Sequence, residues 1–123
     1  MTWTSVELDR VGAADELQVS SRRADGSLRP YVTIWVVRVG DDLYVRSASG
    51  PGNGWYRRAV AAGGGRIRAG GVERDVRFEA AGPDAAAAID EAYHAKYDRY
   101  PKEYVDPVVG PGAATVTLRL VAR

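Results

Sequence analysis

The sequence contains no cysteine and a single histidine, His94. Without cysteine, a disulfide scaffold, a cysteine nucleophile and a thiolate zinc site are excluded, and one histidine leaves little for a metal site. The longest apolar run lies within Tyr31–Val39, far short of the roughly 20 residues of a membrane span. The N-terminus has no basic segment followed by an apolar one, so no secretory signal is predicted. We therefore expect a soluble cytoplasmic protein with no membrane partner.

The composition that remains is that of an ordinary globular protein. The chain has 123 residues, of which 46% are hydrophobic and 27% charged. This length suits one domain with one core, and we predict a single domain over residues 1–123.

Charge is concentrated in one stretch of the chain. Residues 46–77 carry seven arginines against Glu73 and Asp75, a net +5, whereas the whole chain carries +1. A local cationic stretch in a nearly neutral chain indicates one anionic small-molecule ligand rather than a nucleic-acid backbone.

Hydrolytic and metal chemistry find little support in the sequence. His94 falls inside the longest predicted helix but off its apolar stripe, where a solvated histidine is expected. No Gly-x-Ser-x-Gly elbow is present. The paired carboxylates Asp41-Asp42 and Asp90-Glu91 fall in a turn and on a helix exterior, without metal-ligand spacing. We therefore predict neither a hydrolase nor a metalloenzyme.

Hydrophobic periodicity predicts about six strands and three helices. Thr4 and Glu7 have the spacing of a capping box for a first helix that Gly12 ends. Ile89, Tyr93 and Tyr97 share one stripe of a long helix over Asp84–Tyr100. The strands are joined mainly by hairpins, and the run Tyr31–Val39 reads as one strand covered on both sides. The predicted fold is mainly β, a closed or half-closed antiparallel barrel with peripheral helices.

A glycine loop is the most informative local feature. Gly50–Gly54 connects a strand ending at Ser47 to a helix beginning near Trp55. Glycine N–H groups, hydroxyls and the positive helix end favour an anion, and arginines match phosphate oxygens. The candidate anion ligands are Arg46, Ser47, Ser49, Asn53, Gly54, Arg57 and Arg58.

Geometry ranks these candidates. Successive helix positions point about 100° apart, so Arg57 and Arg58 cannot face one phosphate equally. Arg46 precedes Ser47 on a strand and therefore faces the opposite side of the sheet. Ser47 and one helix arginine, with Arg58 preferred, are the predicted phosphate contacts.

Aromatic residues flank the same region. Tyr31 and Trp35 lie on one strand, and Trp55 and Tyr56 open the helix after the glycine loop. Near an anion site they suit a ligand with a flat ring and a phosphorylated tail. The alternative is that they pack in the core or at a dimer interface.

Four runs together resemble the flavin-binding split-barrel superfamily, which includes pyridoxamine-phosphate oxidases and deazaflavin (F420)-dependent nitroreductases. They are Arg29–Trp35, Leu43–Ser47, Gly54–Arg58 and Gly71–Arg74. The whole chain is most similar to the uncharacterised domain-of-unknown-function 2255 family, with Tyr93–Tyr100 as a second matching block.

This resemblance implies a six-stranded split barrel, usually a homodimer. The cofactor ring would lie against Pro30, Tyr31, Val32, Thr33 and Trp35. Its phosphate would lie near Arg46 and Ser47 and at the helix start Trp55, Tyr56, Arg57 and Arg58. Arg58-Ala59 stands where the nitroreductase pattern has Asn-Leu, and the lysine that many oxidases place near the phosphate is missing.

Two functions remain open from the sequence. One is a small oxidoreductase that binds FMN or F420, in which the cofactor carries the hydride. The other is a non-enzymatic binding module that uses the same groove for another small anionic or aromatic ligand. A nucleic-acid-binding barrel is disfavoured by the net charge of +1.

Overall fold

The computed structural model describes residues 2–123. Within this range seven strands form one antiparallel sheet. They are β1 (Leu17–Ser21), β2 (Val32–Ile34), β3 (Val37–Val39), β4 (Asp42–Arg46), β5 (Gly64–Ala69), β6 (Val72–Ala80) and β7 (Thr117–Ala122). Their order is β2-β1-β5-β6-β7-β4-β3, which confirms the predicted mainly β split barrel.

Three longer helices pack around the sheet, as the sequence predicted. They are α1 (Ser5–Ala13), α2 (Gly54–Ala62) and α3 (Ala86–Tyr97). Two single-turn helices follow, α4 (Lys102–Val105) and α5 (Pro111–Ala114), with 3-10 turns at Pro83–Ala85 and Asp106–Val108. No helix in residues 2–123 has the length and apolar character needed to cross a membrane.

The first helix confirms one prediction and corrects another. Glu7 N–H donates to Thr4 Oγ1 at 3.1 Å, and Thr4 N–H donates to Glu7 Oε1 at 2.9 Å, so the capping box is present. The prediction that Gly12 ends the helix was wrong. The helix reaches Ala13, and Gly12 instead leaves room for Arg38, whose Cβ would lie 3.2 Å from a Cβ at position 12.

The predicted single strand Tyr31–Val39 was also wrong, because the chain bends at Trp35-Val36. β2 pairs with β1 at one edge of the sheet and β3 pairs with β4 at the other. Two residues therefore join the two edges of a curled sheet, and this bend raises the count from about six strands to seven. The segment is not covered on both sides either, since Thr33 is exposed and only Val36 and Val37 are buried.

Side chains from α3 satisfy the backbone at the bend. Val36 N–H donates to Tyr97 Oη at 3.2 Å. The Tyr97 hydroxyl faces the carbonyl oxygens of Asp15 at 2.8 Å and Val36 at 3.0 Å. Lys96 Nζ donates to Val36 O at 2.7 Å. A backbone that leaves the sheet ladder must find other partners when buried, and here α3 supplies them.

The sheet separates two apolar clusters. On β4, Leu43 and Val45 face the larger cluster, which also holds buried residues of α1 and α2. Tyr44 faces the opposite way, into a cluster with Tyr93 and Tyr97 of α3. This alternation is the strand period of two, and the full burial of the α3 stripe confirms its prediction.

One glycine allows the sheet to curl tightly. A Cβ at Gly65 of β5 would lie 1.9 Å from the carbonyl oxygen of Ser20 on β1. No side chain fits between these two strands at this point, and a glycine within a strand often marks such a close approach.

We predict that the Tyr97 hydroxyl is a stabilising part of the bend. Tyr97→Phe leaves the buried Val36 N–H without its partner, which should lower the free energy of unfolding by about 1–3 kcal/mol. Tyr93→Phe is the matched control, because Tyr93 Oη is buried without a hydrogen-bond partner. Urea unfolding should show a loss for the first variant and little or none for the second; equal effects would contradict this role.

The burial of Lys96 predicts that the stability of the protein depends on pH. Burial lowers the Lys96 pKa to about 8, from an ordinary value of 10.5. Between these values the unfolded chain binds more protons than the folded chain, so the free energy of unfolding rises with pH. Going from about pH 7.5 to about pH 9.5, the urea midpoint of the wild type should rise relative to that of Lys96→Met. A constant difference between the two proteins would refute this assignment.

Candidate functional site

A groove of about 560 Å³ opens beside the bend. One wall is β2 and Trp35, and the floor includes Arg46 and Trp55. The N-terminal turn of α2 forms the second wall, and the segment after α3 forms the rim. This volume lies within the range of small-molecule sites.

Trp35 forms an aromatic platform at this groove. Its ring stacks on Tyr97 with centroids 3.9 Å apart and an interplanar angle of 3°. The Tyr100 ring lies beside this pair, tilted by 33° with its centroid 5.5 Å from that of Trp35. The Tyr97 hydroxyl is also hydrogen-bonded to Val36 at the bend. Tyr97 therefore both holds the bend and orients the Trp35 ring. A fixed, half-buried aromatic ring at a groove suits a planar ligand.

The N-terminal turn of α2 carries an unpaired positive charge. Asn53 caps the helix, accepting from Trp55 N–H at 3.1 Å. The Arg58 side chain leans back along the helix, so that a Cβ at Gly54 would lie 2.8 Å from Arg58 Nη1. Among residues 2–123, no carboxylate oxygen lies within 4.0 Å of the Arg58 guanidinium. A cation at the positive end of a helix is unfavourable unless an anion joins it.

Arg46 is fully buried beneath the groove. Its guanidinium pairs with Asp90 on α3 and donates to Thr117 Oγ1 and to Val108 O, each at 2.8 Å. Asp90 in turn accepts from Gly110 N–H at 3.3 Å. This network lies on the α3 side of the sheet, the side that Tyr44 of the same strand also faces.

The Arg46 network fixes one rim of the groove. Residues 101–110, which we call the strap, are held through Val108 and Gly110. Val105 and Val108 of the strap are buried in the α3 cluster, whereas Tyr104 is 60% exposed at the rim. The strap therefore presents an aromatic ring from a fixed backbone.

The groove brings together many of the residues predicted for the ring and the anion. Its lining includes Val32, Thr33, Trp35, Arg46, Asn53, Gly54, Trp55 and Arg58. The other predicted residues lie outside this lining: Pro30, Tyr31, Ser47, Ser49, Tyr56 and Arg57.

Several residues outside the lining have other contacts. Ser47 is buried, and its hydroxyl donates to Gly50 O at 2.6 Å, which shapes the glycine loop. Ser49 is exposed. The Tyr31 ring lies 3.7 Å from the Arg68 guanidinium carbon, a cation–π contact. Arg57 lines a neighbouring groove.

Sequence reasoning missed four lining residues, which are Ile34, Ala48, Tyr104 and Val108. Ile34 and Ala48 belong to segments that the sequence already singled out. No pattern in the sequence connects the strap to the glycine loop some fifty residues earlier, since α3 packing and the Arg46 network bring the two together. The one signal in the sequence was a tyrosine in a proline-rich segment, Tyr104 between Pro101 and Pro107.

Residues 7–120 match the family described as "Uncharacterized protein conserved in bacteria (DUF2255)". The chain belongs to this family, as the resemblance implied. A search of curated proteins finds no match.

Solved structures show the same fold at low sequence identity. An F420 reductase aligns with a TM-score of 0.56 and 16% identity, over 94% of this chain and 90% of that one. A FAD-binding protein from Mesorhizobium loti aligns with a TM-score of 0.60 and 18% identity, over 100% of this chain and 92% of that one. A FAD- and heme-binding protein from Mycobacterium smegmatis aligns with a TM-score of 0.56 and 19% identity, over 99% of this chain and 67% of that one. At this level of identity the alignments show a shared fold, and the chain has the split-barrel fold of these structures.

We predict that Arg46 acts through the strap rather than through a ligand. Arg46→Met leaves Asp90 without its partner and should lower the free energy of unfolding by about 3 kcal/mol. Arg119→Met is the control, because it breaks a more exposed pair with Glu79 and should cost about 1 kcal/mol or less. Urea unfolding measures both. An Arg46→Met protein of unchanged stability that has lost ligand binding would instead make Arg46 a ligand contact.

Proposed function

We propose that this protein binds a flavin-type nucleotide, FMN or F420, in the groove between Trp35 and Arg58. The observation that carries the proposal is the combination of a fixed aromatic platform with an unpaired guanidinium at a helix N-terminus, both facing one groove. A ligand with a planar ring and a phosphate satisfies both features at once. The F420 and FAD named for the structural neighbours support the same class of ligand.

The residues of the groove fit the two parts of such a ligand. Trp35 would lie against the ring, and Tyr104 would border it from the strap. Arg58 and the N–H groups at the start of α2 would hold the phosphate, the charge-assisted contact that a guanidinium makes best. Gly54 leaves room for the Arg58 guanidinium over that turn, since a Cβ at position 54 would lie 2.8 Å from Arg58 Nη1.

The chain itself would supply binding and orientation. None of the groove's lining residues is aspartate, glutamate, histidine or lysine, so no group suited to proton transfer near neutral pH faces the ligand. A bound FMN or F420 would supply hydride transfer. We therefore propose a small oxidoreductase in which the protein positions the cofactor and shields one side of its ring.

The absence of such a group from the lining also favours a second candidate. A protein that only holds its ligand needs shape and charge complementarity but no acid or base. The alternative is a non-enzymatic binding module that uses the same groove for another small anionic or aromatic ligand.

Titration of FMN and F420 separately into the purified protein tests the proposal. We expect one of them to bind more tightly than about 1 mM, with Arg58→Gln weakening binding roughly ten- to a hundredfold because a charge-assisted contact is lost. Arg57→Gln is the matched control, since it removes the same charge one position away, outside the groove lining. Ser47→Ala tests the predicted Ser47 contact in the same assay.

Two outcomes would count against this proposal. If neither cofactor binds, the binding module replaces the cofactor protein. If Arg57→Gln and Arg58→Gln weaken binding equally, the effect is one of net charge and Arg58 has no direct contact.

We also propose a homodimer, as the split-barrel resemblance implies. The exposed Tyr104 at the groove rim would be covered in part by a second copy of the chain. Light scattering at micromolar concentration should give about twice the chain mass of 13.3 kDa. A mass of one chain would overturn this expectation.

A further inference from the structure

A second groove, of about 860 Å³, lies on the other side of α2. It is formed by the loop between β1 and β2 and by the outer face of α2. Five arginines line it, and none of its lining residues is aspartate or glutamate. We call it the arginine groove, defined by Arg22, Arg23, Arg29, Arg57 and Arg58.

Most of this positive charge is not neutralised within the chain. Arg22 pairs with Asp75 at 3.0 Å, and Arg23 donates to Leu28 O at 3.0 Å. For Arg29, Arg57 and Arg58, no carboxylate oxygen lies within 4.0 Å among residues 2–123. Like charges gathered on one concave surface repel one another and concentrate anions from solution. The arginine groove is therefore suited to a ligand with several negative groups.

Apolar side chains lie among the arginines. Val60 is 54% exposed on the outer face of α2, and Ala61 and Pro51 also line the groove. An exposed valine beside unpaired arginines favours a ligand that carries apolar groups as well as anionic ones. Inorganic phosphates offer no apolar surface to match it.

The same features argue against a nucleic acid. Tyr56 is the one aromatic residue that lines the groove, and it packs in part against the core, so it offers little surface for base stacking. The net charge of the chain is only +1.

We propose that the arginine groove binds an acidic segment of a partner protein. The segment would be an extended chain whose carboxylates pair with Arg29 and Arg57 while an apolar side chain of about leucine size contacts Val60. Guanidinium groups bind carboxylates in a bidentate manner, which gives such a site direction as well as attraction. This surface is distinct from the nucleotide groove, and only Arg58 and Gly54 line both.

Fluorescence anisotropy with a labelled peptide, Glu-Glu-Leu-Glu-Glu-Leu, tests this proposal. We expect binding tighter than about 1 mM at low salt that weakens as salt is added, because charge pairs dominate. The double variant Arg29→Gln, Arg57→Gln should weaken binding at least about tenfold. Arg77→Gln on β6 is the control, since it removes an exposed arginine outside both grooves and should leave binding unchanged.

Val60→Ser separates the apolar contact from the charges. It should weaken binding of the leucine-containing peptide and leave binding of hexaglutamate unchanged. Circular dichroism and melting curves confirm that each variant is folded.

Several results would overturn the proposal. These are a wild-type protein that does not bind the peptide, equal losses for the groove variant and Arg77→Gln, and tighter binding of tripolyphosphate or an oligo-dT strand than of the peptide. The last result would assign the groove to phosphates or nucleic acid. Because Arg29 and Arg57 do not line the nucleotide groove, FMN and F420 titrations should be unchanged in these variants, so failure of one proposal is distinguishable from failure of the other.

Discussion

The fold depends on how the chain satisfies its backbone at Trp35-Val36. At this bend one segment leaves the first edge of the sheet and joins the last, so the Val36 N–H and C=O leave the strand ladder while remaining buried. Tyr97 and Lys96 provide the missing hydrogen bonds from a single turn of α3. Unpaired buried backbone groups are costly, so the bend that joins the two edges of the sheet depends on the docking of α3. The stacking of Trp35 on Tyr97 then carries this constraint into the candidate site.

A second buried interaction, made by Arg46, holds the strap at the rim of the groove. The Arg46 guanidinium pairs with Asp90 and donates to Thr117 and to the carbonyl oxygen of Val108 in the strap. Arg46 is fully buried and hydrogen-bonded to other parts of the protein, so its role is structural. Arg58, in contrast, has no carboxylate partner in the part of the chain that the structure describes. The two arginines differ in environment, and this difference is why the phosphate contact is proposed for Arg58 and not for Arg46.

The helix α2 organises both proposed surfaces. Its N-terminal turn, with Gly54 and Arg58, faces the groove beside Trp35, and its outer face, with Arg57 and Val60, faces the arginine groove. Neighbouring helix positions point about 100° apart, so consecutive arginines are delivered to different sides. In these two proposals, one short helix would offer a phosphate contact to a small ligand and a charged surface to a larger one.

Local sequence patterns determined the elements of this protein. The capping box at Thr4, the apolar stripe of α3 and the glycine loop before α2 are short-range features, and each appears as predicted because a few neighbouring residues suffice to define it. The alternation of Tyr44 and Val45 between the two faces of β4 is local as well. Only the tertiary structure decided where Tyr31–Val39 breaks, which arginine stays unpaired and that Tyr104 reaches the groove. These outcomes depend on contacts between residues some fifty to seventy positions apart in the chain. The curling of the sheet and the docking of α3 bring these residues together, and no local sequence pattern encodes their contact.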